Sequence, residues 1–210
     1  MLIDTDDYAA SGIEIIWFSG GEPHVKASYE QDFPHAHIYA KVRNARDLLA
    51  LAAVCSSLEC RGIERHIFMP YLPGARQDRV QLGGALTAEV YARMIASMAT
   101  TLTAVDVHSQ EAVDIYHENM SGFRLLDHVP LVKAATRTKY DVILAPDKGA
   151  VARASAVAEE FPHASVLFCE KIRDPHTGQI SIKVPSDDYR LLEAGSILIP
   201  DDICDGGATF

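Results

Sequence analysis

Short apolar runs separated by longer stretches of helical periodicity constrain this chain more than any other feature. The runs at 13–18 (IEIIWF), 38–42, 66–69, 102–107, 142–145, 166–169 and 197–199 have strand length. Several are apolar on both faces, as strands buried in a parallel sheet are. Between them, residues 46–60 place Leu48, Leu49, Leu51, Ala52, Cys55 and Leu58 on one broad helical stripe. Asn44 is its candidate N-cap, Asp47 suits the first turn and Gly62 follows the end. Residues 87–98, 131–138 and 150–161 carry further helical patterns. Strand–helix alternation at these lengths predicts an α/β fold with mainly parallel sheets covered by helices. The pattern restarts near His128-Val129-Pro130, which predicts two domains, 1–128 and 129–210.

Composition narrows the partners. A hydrophobic fraction of 48% over 210 residues is enough for packed cores. The net charge of -10 argues against non-specific binding to nucleic acid or an anionic membrane, both of which rest on basic surface. Phosphorylated ligands remain compatible with it, because carboxylates hold Mg²⁺ that in turn holds phosphate. No apolar run approaches the roughly 18 residues of a spanning helix. The acidic start MLIDTDDYAAS does not resemble a leader, so a soluble, cytoplasmic protein is expected. Cysteines 55, 60, 169 and 204 form no CxxC and no metal-type spacing.

Three polar signatures directly follow apolar runs: Asp106-Val107-His108, Pro146-Asp147-Lys148-Gly149 and Pro200-Asp201-Asp202. In open parallel sheets ligands bind where loops converge at the carboxyl ends of strands. Each signature alone reads as a turn or a helix cap. Together, with one His and four acids, they point to a cation such as Mg²⁺ or Mn²⁺. Asp201, Asp202 and Asp205 crowd three negative charges that call for a cation or a polyol such as ribose. Gly206, Gly207, Ala208 and Thr209 follow, a segment whose N–H groups and hydroxyl suit a phosphate. Residues 70–79 form a loop in which Arg76 and Arg79 flank Gln77 and Asp78, either a bidentate grip on polyphosphate or a surface ion pair. Lys171 and Arg173 precede a turn-rich stretch, 174–179, that reads as a flap.

Jointly these residues resemble the ribose-phosphate pyrophosphokinase (phosphoribosyl pyrophosphate synthetase) family. The matching pieces are 18–22, 70–79, 105–108, Pro146-Asp147 with Gly149 and Arg153, Lys171-x-Arg173, and 201–209, in the family's order. The resemblance implies tandem phosphoribosyltransferase-like domains, the second incomplete, because family members continue past the segment at 201–209. It implies transfer of the diphosphoryl group of MgATP to the anomeric hydroxyl of ribose 5-phosphate, releasing AMP. By the same resemblance, Asp201, Asp202, Asp205, Gly207 and Thr209 would bind ribose 5-phosphate, and His108 and Asp147 would hold Mg²⁺ with ATP. Arg76, Gln77 and Asp78 would contact ATP; Phe18 and Glu22 would line an adenine pocket at a subunit interface, which implies a homo-oligomer. Lys171 and Arg173 would be the catalytic pair on a flap. Gly20 stands where the family usually has Asp, Gly206 where many members have Thr, and Lys148 adds positive charge beside Asp147.

Those roles suit the reaction, which needs alignment and neutralisation of charge moving toward the leaving group. The departures leave room for a non-catalytic homologue that assembles with an active synthetase. A phosphoribosyltransferase is a weaker alternative, because the 70–79 loop and His108 are not expected there.

Overall fold

In a computed structural model, residues 1–28, 33–80, 82–136, 139–173, 180–183 and 195–203 are described. The chain divides into two compact units, Met1–Leu126 and Asp127–Phe210.

The first unit is built on a five-stranded parallel sheet. Its strands are β1 (Leu2–Asp4), β4 (His35–Tyr39), β5 (Glu64–Met69), β6 (Thr101–Val105) and β7 (Phe123–Leu126), side by side in that order. A hairpin of β2 (Ile13–Trp17) and β3 (Pro23–Ala27) stands apart from it. Helices α1 (Ala45–Glu59), α2 (Thr87–Met98) and α3 (Gln110–Asn119) complete the unit. Strand side chains alternate between faces, and here one face is dry. Ile3, Ala36, Ile38, Ile67, Met69, Leu102 and Ala104 join Leu51, Val54 and Leu58 of α1 and Ile95 of α2 in one core. The other face carries His35, His37 and Glu64 exposed, with His66 and Phe68 half-buried.

Local chemistry sets the helix starts. Asn44 Oδ1 accepts the Asp47 N–H at 3.0 Å, and the Asp47 carboxylate accepts the Arg43 N–H at 2.9 Å. Ser109 caps α3, its Oγ accepting the Ala112 N–H at 3.1 Å. Helix α2 has the bounds its periodicity predicts. The run at 13–18, expected in a parallel sheet, instead pairs antiparallel with β3. The strand expected at 38–42 begins earlier, at His35, because the alternation HAHIY buries only Ala36 and Ile38. Strands β1, β3 and β7 and helix α3 are too short or too polar to announce themselves as apolar runs.

In the second unit, β12 (Ile197–Leu198), β8 (Val142–Ala145) and β9 (Ser165–Phe168) form a parallel sheet in that order. Its elements also include α4 (Val129–Ala135) and α5 (Val151–Ala158). Strands β10 (Glu170–Arg173) and β11 (Ile180–Lys183) pair antiparallel, with Lys171 opposite Ile182 and Arg173 opposite Ile180. Ile143, Ala145, Ala150, Ala154 and Val157 make the core. Among the described residues no helix is long and apolar enough to cross a membrane.

Asp141 fixes the entry to β12. Its carboxylate accepts the Ser196 N–H at 2.8 Å and lies 3.1 Å from Ser196 Oγ. The backbone hydrogen bond, then the hydroxyl, hold this carboxyl below its ordinary range. A depressed carboxyl stabilises the fold above its unfolded pKa, and the contribution disappears as pH falls through the lower folded value. The second unit is therefore expected to lose stability as pH drops below about 4, and Asp141→Asn to flatten that part of the acid slope. Denaturant midpoints measured from pH 6 to pH 2 for both proteins test this; parallel slopes would contradict it.

Candidate active site

Parallel pairing places Met69 of β5 opposite Ala104 of β6, so the loops that follow these strands leave one edge of the sheet together. The loop at 70–79 is anchored from beneath by Leu72 and Ala75, both buried. Its turns close through Gln77 N–H to Gly74 O at 2.8 Å, and Ala88 N–H ties it to α2 through Gln77 O at 3.1 Å. Gly74 has φ +75 and lies against Tyr91 of α2, where an added Cβ would stand 2.5 Å from Cδ2 of the ring. Arg76, Gln77 and Arg79 are exposed on this anchored base, and Asp78 is half-buried.

The loop after β6 begins at Asp106, which has φ 46, a left-handed conformation uncommon for any residue but glycine. It carries His108, exposed, directly before Ser109. The Ser109 hydroxyl donates to Asp78 while capping α3, and Arg79 lies 3.5 Å from Glu111 on the first turn of that helix. Asp78 thus joins the two loops, and the structure brings it together with the segment bearing His108. Sequence reasoning assigned Asp78 to nucleotide contact and missed Ser109 and the conformation of Asp106. A Ser just ahead of an amphipathic decapeptide was the available signal.

Phe18 and Glu22 face each other across the β2–β3 turn. The Phe18 N–H donates to Glu22 O at 3.0 Å and the Gly21 N–H to Phe18 O at 2.9 Å, with Gly21 at φ +90. A Cβ at Gly20 would stand 2.6 Å from Glu22 Oε2, so the glycine gives that carboxylate its place. Phe18 is 57% exposed.

In the second unit, Asp147 follows β8 and caps the next turn, its Oδ1 accepting the Gly149 N–H at 2.9 Å and the Ala150 N–H at 3.1 Å. Capping, one of the readings open from sequence, is therefore part of its work. Arg153 of α5 reaches both acids beyond β12: Nη1 lies 3.5 Å from Asp201 Oδ1 and Nη2 3.8 Å from Asp202 Oδ1. All three side chains are largely buried, at 11%, 15% and 7% exposure for Arg153, Asp201 and Asp202. Burial raises the Asp201 carboxyl above its ordinary range, and the Asp202 carboxyl adds to this through a hydrogen bond and its charge, against the Asp202 N–H donated to it at 2.9 Å and the pull of Arg153. Arg153 thus holds two adjacent, little-exposed acids side by side at the end of β12. Asp205, Gly207 and Thr209 lie outside the described residues, as does the flap stretch at 174–179.

Relatives sharpen the reading. Over 209 residues the chain is 30% identical to ribose-phosphate pyrophosphokinase 2 of Archaeoglobus fulgidus, covering 95% of this chain and 70% of that protein. The chain belongs to the ribose-phosphate pyrophosphokinase family. It is also 31% identical over 146 residues to the Sulfurisphaera tokodaii ribose-phosphate pyrophosphokinase (68% of this chain, 48% of that one). With the Aeropyrum pernix ribose-phosphate pyrophosphokinase it shares 28% over 171 residues (79% and 54%). The chain thus spans about half the length of these last two relatives. No protein-family model matches it. Its fold is that of the phosphoribosylpyrophosphate synthetase from Mycobacterium smegmatis, with a TM-score of 0.68 at 17% identity over 99% of this chain and 83% of that one.

The closeness of Gly74 to Tyr91 is open to a stability measurement. Gly74→Ala is expected to destabilise the first unit by about 2 kcal/mol or more, from left-handed strain plus overlap with the ring. Gly62→Ala, at φ +70 with nothing within 4 Å, carries the strain alone and is expected to cost about half as much. Equal losses in denaturant titrations would mean that the ring yields freely.

Proposed function

We propose that the chain serves phosphoribosyl pyrophosphate synthesis, transferring the terminal diphosphoryl group of ATP to the anomeric oxygen of ribose 5-phosphate. The new bond joins that oxygen to the β-phosphorus. The bond from the β-phosphorus to the oxygen of the α-phosphate breaks, its electron pair leaves on AMP, and the hydroxyl proton passes to solvent. Membership of the ribose-phosphate pyrophosphokinase family, together with the Arg153–Asp201–Asp202 cluster at the end of β12, carries this reading. Residues 1–128 and 129–210 are read as the two phosphoribosyltransferase-like domains.

In this reading Arg76 and Gln77 bind ATP from an anchored loop, and Asp78 contributes to that contact and holds the loop to Ser109. Phe18 and Glu22 present the adenine pocket of a homo-oligomer. Asp201 and Asp202, with Asp205, Gly207 and Thr209, receive the ribose hydroxyls and the 5-phosphate. Arg153 keeps the acid pair from repelling itself apart, so that it is in place when the sugar arrives. Oxygen-rich donors suit Mg²⁺, and the exposed His108 imidazole and the oriented Asp147 carboxylate are the groups assigned to it. Bound there with ATP, Mg²⁺ would neutralise phosphate charge and polarise the transferring group. Lys171 and Arg173 act on the charge that grows as the diphosphoryl group departs, by positioning rather than by forming a covalent intermediate.

The reaction is tested with MgATP and ribose 5-phosphate, following AMP. Equal amounts of AMP and phosphoribosyl pyrophosphate are expected. Absence of AMP from folded protein, both as the 210-residue chain and as a form extended to the relatives' length, would overturn the assignment. In an active form Lys171→Ala is expected to lower kcat by about 10²-fold or more with little change in ATP affinity. Losses of the same size in both would make Lys171 a ground-state ligand instead.

A further inference from the structure

At the other end of the first unit's sheet, the amino ends of two inner strands hold a cluster that the proposed reaction does not use. His35 begins β4, and Glu64 and His66 lie on β5, with His35 opposite Glu64 and His37 opposite His66 in the parallel register. Because side chains two apart on a strand share a face, the register alone brings the three onto the open side of the sheet. His35 Nδ1 lies 2.9 Å from Glu64 Oε2, His66 Nε2 lies 3.5 Å from the same oxygen, and the two ring nitrogens are 3.5 Å apart. Among the described residues, this is the group whose ligand atoms gather closely enough for a metal ion.

We propose that His35, Glu64 and His66 bind one divalent ion of the zinc class, with a fourth position open to solvent. The three donor atoms form a near-equilateral triangle whose centre lies about 1.9 Å from each corner, so an ion slightly above the plane meets bond lengths of roughly 2.0–2.1 Å. Two imidazoles and one carboxylate favour Zn²⁺ and its neighbours over Mg²⁺, which demands octahedral oxygen donors.

The surroundings hold the donors ready. His66 Nδ1 lies 2.9 Å from Thr101 Oγ1, so a proton on Nδ1 leaves the Nε2 lone pair for the ion, as ligating histidines are commonly oriented. The His37 ring stacks on His66 at 5.2 Å between centroids. The backbone is pinned at the same point: the terminal amine donates to His35 O at 2.9 Å and the Glu64 N–H to Pro34 O at 3.0 Å. Side-chain exposures of 50%, 52% and 26% for His35, Glu64 and His66 leave the cluster open to an ion from solution. Glu64 lies about 16 Å along β5 from Met69, where the loop at 70–79 starts. The ion would bridge β4 and β5 at the end of the sheet away from the candidate active site.

Chelator-treated full chain titrated with Co²⁺ alone, then with competing Zn²⁺, tests this. One Co²⁺ per chain with tetrahedral visible absorption, displaced by Zn²⁺, is expected. His35→Ala/His66→Ala is expected to weaken Zn²⁺ binding at least 100-fold. Glu64→Gln, which keeps the shape, should weaken it about 10-fold or more, and Thr101→Val about 10-fold through the lost orienting partner. Zn²⁺ should raise the melting temperature of the parent chain and of His37→Ala, but not that of the double variant. No tetrahedral Co²⁺ signal, or a Zn²⁺ affinity unchanged by both the double variant and Glu64→Gln, would overturn the site and leave a surface histidine–glutamate pair.

Discussion

The parallel pairing of β5 with its two neighbours is the constraint on which the rest of the first unit depends. One register, with Ile38 beside Ile67 and Ile67 beside Leu102, stacks the apolar side chains of three strands onto a single dry face. A one-residue slip would turn that entire set outward, so burial of the core and alignment of the strand ends are a single requirement. Strand ends held level then dictate where the polar loops emerge, and the 70–79 and 106–109 segments become neighbours without any attraction of their own. The same register assembles the histidines and Glu64 at the opposite ends of the strands. Two chemically different places on the molecule are thus outcomes of one hydrophobic alignment.

In the second unit, Asp141 and Arg153 each join chain segments far apart in sequence. Arg153 is especially consequential, because two carboxylates placed side by side with little water between them would otherwise favour a protonated form. The guanidinium lies 3.5 Å from Asp201 and 3.8 Å from Asp202.

How much of this could be read from sequence depends on whether a feature is local. The Asn44 cap, the α2 helix and the loops carrying Arg76 and His108 lie in contiguous residues whose propensities and patterns agree, and they were legible. Strand β1, a tripeptide, takes its order from neighbours and gave no comparable signal, while α3, mostly polar in QEAVDIYHEN, was marked only by the Ser ahead of it. The run IEIIWF misled because a hairpin packed over helix α1 needs as many apolar residues as a central strand does. The acids at 201 and 202 stood out at once, but their guanidinium partner lies nearly fifty residues away. The His35–Glu64–His66 triangle was invisible for the same reason, since it exists only once two strands are set in register. Asp147 was read as a turn or cap or as a metal ligand, and the cap is in place.

The single proton of the Ser109 hydroxyl has a mechanical meaning. It is directed to Asp78, while a lone pair of the same oxygen receives the Ala112 N–H. One atom therefore terminates a helix and fastens a loop from the adjacent strand, working as a shared pivot rather than as two separate contacts. Any displacement of the arginine-bearing loop is passed to the first turn of α3 and to the histidine immediately before it. The 70–79 loop and the start of α3 are consequently geared together by an oxygen that need not touch a substrate.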